Sequence, residues 1–244
     1  MAHLGSYAAR GGSRRPSAQV CGGWWSDSDH GEPRRSGARV CGGWWPHSDH
    51  GAPRPLEPPT VGRTVGPHDN VFRLPWWVRR IARGGDVLAP GDPGRTVQLI
   101  DARDLARFIV DLGERGQPGV FNATAPPWRT TMGEVLDAAV VATGSDARLT
   151  WIPDDALVAA GATPWVELPL WIPEADGPGT WRIDTARAQA AGLRCRPVAE
   201  TVGDVWAWLQ AGGPEAEGPD WLSDHAPPPM APEREAQLLA AVAR

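Results

Sequence analysis

One stretch, residues 96–112 (TVQLIDARDLARFIVDL), limits the possible folds more than any other part of the chain. The apolar run from Val97 to Ile100 predicts a strand, and Asp101 can then cap the first turn of a helix. Four apolar residues at i, i+3, i+4 and i+7 indicate that helix: Leu105, Phe108, Ile109 and Leu112. The run VFNA at 120–123 predicts the next strand. Strand, helix and strand within about thirty residues form a βαβ unit, so we predict an α/β chain with a parallel sheet.

Length and charge restrict the classes of function. The chain has 244 residues, of which 41% are hydrophobic and 22% charged, so it can bury a real core. Residues 1–63 hold eight arginines and five acids, whereas residues 64–244 hold sixteen arginines and twenty-four acids. The acidic body argues against nucleic acid as a partner. Since no apolar segment has membrane-spanning length or the pattern of a signal peptide, we expect no membrane partner and a cytoplasmic location.

The N-terminal region contains a duplicated segment. Residues 14–33 and 34–53 share fourteen of twenty aligned positions, and Gly, Pro, Ser and Arg dominate them. Because such residues bury little apolar surface, we predict that residues 1–63 form a disordered tail. The third cysteine of the chain, Cys195, lies far from the repeats, and three scattered cysteines do not form a disulfide framework.

Two functional interpretations of the repeats stay open beside disorder. Each repeat offers Cys-x8-His, Cys21 with His30 and Cys41 with His50, and these four side chains could complete a tetrahedral zinc site. The Trp pairs of both repeats, with their neighbouring arginines, could instead stack on single-stranded nucleic acid.

The remainder, residues 64–244, is predicted to be globular. Its expected elements, in chain order, are a helix at 74–81, a Gly/Pro loop at 86–95, a helix behind the capping box of Thr131 and Glu134, a strand at 149–152, a short helix at 154–160, a strand at 181–183, a helix at 185–191 capped by Asp184, a helix from Val198 to Leu209 and a last helix at 232–243.

The order of these motifs is informative. Residues 64–244 contain the following motifs in this order: VGPHD, an amphipathic helix, APGDPGRTVQLIDARDLA, GVFNAT, TMGEVLDA, and finally GLRCRP with AETVGDVWAWL. This succession resembles the C-terminal half of the extended short-chain dehydrogenases/reductases, and more narrowly the NAD-dependent epimerase/dehydratase-like proteins of actinobacteria. The resemblance implies a partial Rossmann-type parallel sheet with a small α/β substrate domain, NAD or NADP as cofactor, and a small-molecule substrate.

The chain departs from that family where chemistry is concerned. The family's proton transfer uses a Tyr-x-x-x-Lys pair, but the only tyrosine here is Tyr7 and the chain has no lysine. A G-x-x-G-x-x-G pattern at Gly113, Gly116 and Gly119 follows a helix and precedes a strand, whereas pyrophosphate binding needs the reverse order. We therefore predict no catalytic residue and a truncated family member that retains the substrate-side half and is inactive alone.

Five residues remain as candidate contacts. The resemblance places Arg95 near an acidic group of the substrate, and an arginine fork suits oxyanions, although a solvated loop arginine is equally compatible. Gln98 could line the substrate cleft or lie at the surface. Gly66, Pro67 and His68 follow the strand that passes the nicotinamide in the family, so they are the candidate cofactor contacts.

Other polar residues are interpreted as structural or left unassigned. Asp101 and Asp104 are predicted to be capping residues, and Cys195 between two arginines could have a lowered thiol pKa. The alternative functions are a non-catalytic binding or interaction module and a metal-binding protein acting through the repeats. Without its preceding strands the sheet would expose an edge, so we expect homo-oligomerisation or aggregation.

Overall fold

The computed structural model describes residues 19–22, 39–42, 63–69, 71–213 and 230–242, the first two segments by their backbone alone. The strands within these ranges are β1 (Gln19–Gly22), β2 (Arg39–Gly42), β3 (Arg63–Val65), β4 (Asp86–Pro90), β5 (Leu99–Asp101), β6 (Val120–Phe121) and β7 (Arg148–Ile152). The helices are α1 (Arg73–Ala82), α2 (Ala102–Glu114), α3 (Met132–Thr143), α4 (Asp154–Ala159), α5 (Ala186–Ala190), α6 (Val198–Gln210) and α7 (Pro232–Val242).

Every strand pairing within the named strands is parallel, which confirms the predicted α/β class. β3 pairs with β5, β4 pairs with β7, and β1, β2 and β6 form a third group. The predicted unit of β5, α2 and β6 is present as elements in that order. Its two strands nevertheless pair with different partners, because β5 lies against β3 while β6 lies against β2.

The repeats supply the strands β1 and β2, which the sequence did not predict. Their register aligns equivalent positions of the two copies, including Cys21 with Cys41. The metal-binding and stacking hypotheses concern side chains outside the described residues, and so does most of the predicted tail, so these stay predictions.

Local sequence signals explain the main helices. α2 begins where Asp101 accepts a hydrogen bond from the Arg103 amide. α3 has the predicted capping box, with Thr131 and Glu134 bonded reciprocally, and ends at Gly144 in the left-handed conformation (φ 63°).

Two predicted segments are wrong. Residues 86–90, predicted as loop, form β4, because Val87, Leu88 and Ala89 are completely buried and dominate over the flanking Gly and Pro. Residues 181–183, predicted as a strand, are irregular: the Ile183 amide donates to the Gln98 side chain instead of to a neighbouring strand.

The core has two parts. The larger one joins α1, α3, α6 and β4 with the segment between α4 and α5, and Trp77 at its centre is fully buried and donates from Nε1 to the Pro169 carbonyl. The smaller one joins α2, β6 and α5, and its Phe108 and Phe121 rings meet edge to face. Within the described ranges, no helix combines the length and the apolar character that crossing a bilayer requires.

Candidate functional site

A cavity of about 320 Å³ lies where the loop before β5 meets the segment between α4 and α5. That volume is near the lower end for small-molecule sites. Its lining combines two indoles with charged and backbone groups: Asp92, Gly94, Arg95, Thr96, Trp128, Glu174, Gly179, Trp181 and Arg182. Of the five residues predicted from sequence, only Arg95 lines this cavity.

Arg95 is held by a carboxylate of the protein itself. Its two terminal nitrogens contact the two oxygens of Asp154 at 2.9 and 2.5 Å, and Nη1 also donates to the Ile172 carbonyl at 3.2 Å. Asp154 further accepts from the Trp171 indole at 2.9 Å and from the Glu174 amide at 3.0 Å. The predicted substrate arginine therefore builds the cavity wall with its charge already paired.

The electrostatics of this ion pair agree with its geometry. Burial by itself would raise the pKa of Asp154, but the hydrogen bonds from Arg95 and Trp171 outweigh it and hold that pKa below its usual range. Gly91 beside the pair has φ 74°, and a Cβ there would lie only 2.9 Å from the Arg95 guanidinium and from Asp154. Only glycine fits both the backbone conformation and the space.

Two tryptophans line the cavity. Trp128 has a left-handed backbone (φ 65°) and is 67% exposed, which is unusual for so large an apolar side chain. The Arg182 guanidinium lies 5.3 Å from the Trp128 ring centroid and donates to Glu174 at 3.0 Å. Trp181, in contrast, is buried. A strained, exposed indole beside a cavity is the kind of outlier that points to a functional role.

Gln98 has a structural place. It is 1% exposed, and its amide nitrogen donates to the carbonyls of Ala125 and Ile183 at 3.0 and 2.9 Å while its oxygen accepts from the Ile183 amide at 2.7 Å. The two bonds to Ile183 hold the irregular segment that contains Trp181. The burial of Gln98 excludes the surface position, and Gln98 is not among the residues that line the cavity. Whether it contacts a substrate stays a prediction.

Gly66, Pro67 and His68 form the turn after β3, away from the cavity lining. Gly66 is buried with φ 134° and accepts from the Asp69 amide, and a Cβ on it would lie 3.6 Å from Asp101. His68 is exposed, and its ring lies 5.0 Å from the Trp208 ring. Whether these residues contact a cofactor stays a prediction.

The fit of a dinucleotide can be tested at the described strand-to-helix junctions, where a pyrophosphate would need exposed amides and no negative charge. Each junction carries a carboxylate that accepts from a backbone amide. Asp69 after β3 and Asp101 after β5 bond amides two positions further on, Glu134 in the first turn of α3 bonds the amide of the preceding cap, and Asp154 after β7 bonds an amide twenty positions away. The junctions in the described part of the chain therefore do not fit the pyrophosphate of NAD or NADP.

Asp101 and Asp104 belong to an ionic network that joins α2 to α6 and to the loop before α6. Both are buried, Arg196 contacts Asp104 at 2.8 Å, and Thr201 donates to Asp101 at 2.9 Å. Burial opposes ionisation of both carboxyls, but hydrogen bonds from neighbouring arginines outweigh it and lower both pKa values. Their arrangement agrees with the structural role predicted for them.

The lowered pKa suggested for the Cys195 thiol is wrong. Burial and the nearby Asp104 raise its pKa to about 11, against a smaller opposing effect of Arg129. Among the described residues, no group of three or more His, Cys, Asp or Glu side chains is arranged to hold a metal ion.

Most cavity residues were missed by sequence reasoning. Asp154, the partner of Arg95, was interpreted only as the start of a helix, because 59 positions separate the two residues. Trp128, Glu174 and Arg182 lie in Pro- and Gly-rich loops, where no periodicity marks a residue as part of a site.

Comparisons with known proteins identify no family for this chain, but they find solved structures that are similar to part of it. The sequence matches no protein-family model and none of the curated proteins compared with it. Similar solved structures include RMD from Pseudomonas aeruginosa complexed with NADPH, with a TM-score of 0.43 and 13% identity over 72% of this chain and 47% of that one. Another is a UDP-glucose 4-epimerase from Thermotoga maritima with UDP-glucose, with a TM-score of 0.43 and 18% identity over 61% and 44%. A third, a GDP-L-fucose synthetase from Naegleria fowleri bound to NADP, has a TM-score of 0.44 and 12% identity over 72% and 44%.

The chain therefore spans less than half the length of these structures. At such TM-scores and identities the likeness supports no inference about activity.

Proposed function

We propose that this chain is the substrate-side part of an NAD(P)-dependent epimerase/dehydratase-like protein, and that it binds a small polar molecule without catalysing a reaction by itself. The observation that carries the proposal is the cavity, whose lining combines the indoles of Trp128 and Trp181 with hydrogen-bonding groups. Few convergent polar groups in a partly apolar concavity are typical of a small-molecule site.

The absence of catalysis is proposed from the chemistry of the side chains. The chain has no lysine and its only tyrosine is Tyr7, so the family's proton-transfer pair cannot form within it. The carboxylates at the described strand-to-helix junctions disfavour a bound pyrophosphate, so we propose that the chain alone binds neither NAD nor NADP.

The charges of the cavity indicate the class of ligand. Arg95 is paired with Asp154, and Arg182 is paired with Glu174. Because carboxylates of the protein already neutralise both guanidinium groups, neither provides an unpaired positive charge for a ligand. A ligand with several hydroxyl groups and little net charge would use the remaining donors and acceptors while its apolar face packs on the indoles. We propose a monosaccharide ring as that ligand.

The test uses the full-length protein and D-glucose as the probe, with the emission of tryptophan as readout. We expect saturable quenching with a Kd in the millimolar range, about −4 kcal/mol of binding free energy. Trp128→Ala should weaken binding at least about tenfold, which equals about 1.4 kcal/mol. Trp208→Ala is the matched control, since that indole contacts His68 outside the cavity lining and should leave binding unchanged. No saturable response in the wild type, or equal losses in both variants, would refute the assignment.

The cofactor part is tested separately with NADH and NADPH. We expect no energy transfer from tryptophan to the nicotinamide at about 1 mM cofactor, a concentration at which binding of about −4 kcal/mol would half-fill the site. Saturable transfer at micromolar concentration would contradict this part and leave the cavity assignment intact.

Two further expectations belong to the proposal. β3 with β5 and β4 with β7 form two-stranded pairs, so each offers backbone edges that no other described strand covers. We propose that the chain self-associates through such an edge, which light scattering would report as a mass above 26.1 kDa. A cytoplasmic location is also proposed, and cell fractionation tests it.

A further inference from the structure

A second group of residues, outside the cavity apart from one shared wall, has unsatisfied donors. It consists of Arg63 at the start of β3, Asp69, Arg73 at the start of α1, Trp165 and Trp181, and is called the Arg63–Arg73 cluster below. Arg63 is only 3% exposed, which is rare for an arginine that has no acidic partner among the described residues.

Aromatic rings surround Arg63. Its Cζ lies 4.6 Å from the Trp165 ring centroid and 4.2 Å from that of Trp181, and the two ring centroids are 6.4 Å apart. The Cζ of Arg73 also lies 4.6 Å from the Trp165 centroid, so the two guanidinium carbons are within about 9 Å of each other. Such contacts with indole faces stabilise a cation but accept no hydrogen bond in the guanidinium plane.

Acceptors for these donors are missing within the described part of the chain. Arg63 Nε and Trp181 Nε1 are buried and lack a hydrogen-bond partner there. No ion pair within 4 Å joins Arg63 or Arg73 to a carboxylate among the described residues, whereas Arg80, Arg95 and Arg196 all have one. Buried polar groups without partners require an explanation, and a bound ion is one of the ordinary explanations.

The charge balance of the cluster is positive. Asp69 is its only carboxylate, its Oδ1 accepts from the Val71 amide at 3.0 Å, and its Oδ2 is buried without a donor. Burial raises the pKa of Asp69, against smaller effects of local amides and of Arg73. Burial and the charge of Arg73 together lower the pKa of Arg63 to about 9. An anion placed here would relieve the repulsion and supply acceptors at the same time.

We infer from this geometry that the Arg63–Arg73 cluster binds an oxyanion of the phosphate class, held by the two guanidinium groups and by the Trp181 indole N–H, with the Trp165 ring as a wall. A dianion suits two guanidinium groups opposed by one carboxylate better than a monoanion does, and tetrahedral oxygens match the guanidinium fork. The anion is either free phosphate or the phosphoryl group of a small molecule. This site does not depend on the proposed function of the cavity.

The experiment titrates full-length protein with inorganic phosphate, and in a second arm with glycerol 3-phosphate, at constant ionic strength adjusted with sodium chloride. Melting temperature and tryptophan emission are both recorded, since two rings of the cluster are indoles. We expect saturable changes in at least one arm, and the arm that responds more tightly identifies the source of the phosphoryl group. No saturable response in either arm would overturn the inference.

Variants assign the response to the cluster. Arg73→Met should weaken the apparent affinity at least about tenfold, as the loss of a charge-assisted hydrogen bond implies. Arg107→Met, which removes an exposed arginine of α2, is the matched control and should leave the affinity within about twofold. Arg63→Met should abolish the response. If the Arg63→Met protein fails to fold, Arg73→Met still tests the inference. Equal affinity in Arg73→Met and Arg107→Met would overturn the inference. Trp128→Ala, which should weaken glucose binding, should leave phosphate binding intact.

Discussion

The ion pair between Arg80 and Glu235 offers the sharpest test of how the fold is stabilised. Arg80 Nε donates to Glu235 Oε2 at 2.5 Å, and the two side chains are only 10% and 7% exposed. The other oxygen, Oε1, accepts from the Leu88 amide in β4 at 3.0 Å. Glu235 thus connects three elements, α1, β4 and α7, through two atoms.

The change Glu235→Gln removes the charge and keeps the shape. Breaking a buried ion pair costs about 3–5 kcal/mol, because the remaining charge stays buried. Arg80 keeps the carbonyls of Gly84 and Asp86 at 3.1 and 2.6 Å as acceptors, which favours the lower end, about 3 kcal/mol. The neighbouring Arg83, whose pKa is already lowered by burial and by Arg80, would also lose the attraction of Glu235.

Thermal unfolding followed by circular dichroism measures the effect. For a chain of this size about 3 kcal/mol lowers Tm by about 6–12 °C. The control is Asp86→Asn, which breaks the pair with Arg148, because those side chains are 62% and 68% exposed and such surface pairs contribute less than about 1 kcal/mol. If Glu235→Gln shifts Tm no more than Asp86→Asn does, the reasoning from burial is wrong.

Three further predictions concern acid, a buried amide and a thiol. Asp101, Asp104 and Asp154 have folded-state pKa values below those of the unfolded chain. They therefore stabilise the fold fully above about pH 5, and this contribution is lost as the pH falls through the lower folded-state values. The urea midpoint should therefore decrease between about pH 5 and pH 2, and a constant midpoint would contradict the assignment. Gln98→Leu removes three buried hydrogen bonds and should destabilise the protein by about 2 kcal/mol, with a red shift of tryptophan emission as the segment of Trp181 loosens. An unshifted emission spectrum would show that Gln98 does not hold that segment. Because its pKa is raised to about 11, Cys195 should react with iodoacetamide much more slowly in the native protein than in urea, as followed by mass spectrometry of its peptide. Equal rates would refute the raised pKa of the thiol.

The sequence was most informative where one local signal decides the structure. The capping box of Thr131 and Glu134 and the Asp101 cap predicted where α3 and α2 begin, because these bonds join residues two or three positions apart. β4 was missed because its strand character comes from burial of Val87, Leu88 and Ala89 between packed elements, which periodicity over five residues does not reveal.

The candidate site was predictable to a smaller extent. Arg95, which the sequence offered as a substrate contact, lines the cavity, and whether it contacts a substrate stays a prediction. Its partner Asp154 lies 59 positions away, and no local pattern links the two. Arg63 stacks against rings about a hundred positions further along the chain, at Trp165 and Trp181. Contacts of this kind depend on the tertiary arrangement, and a single sequence contains no direct signal for them.

The bond between Arg80 and Glu235 also bears on folding kinetics. It joins residues 155 positions apart, so the chain must close a long loop before it gains the bond, at an entropic cost of about 4–5 kcal/mol by (3/2)RT ln n. Contacts between residues so far apart in the sequence are absent from most folding nuclei, because nuclei favour contacts closer in sequence. Glu235→Gln should therefore increase the unfolding rate constant and leave the refolding rate constant almost unchanged. We therefore expect this single carboxylate of α7 to affect how long the folded chain persists more than how fast the chain folds.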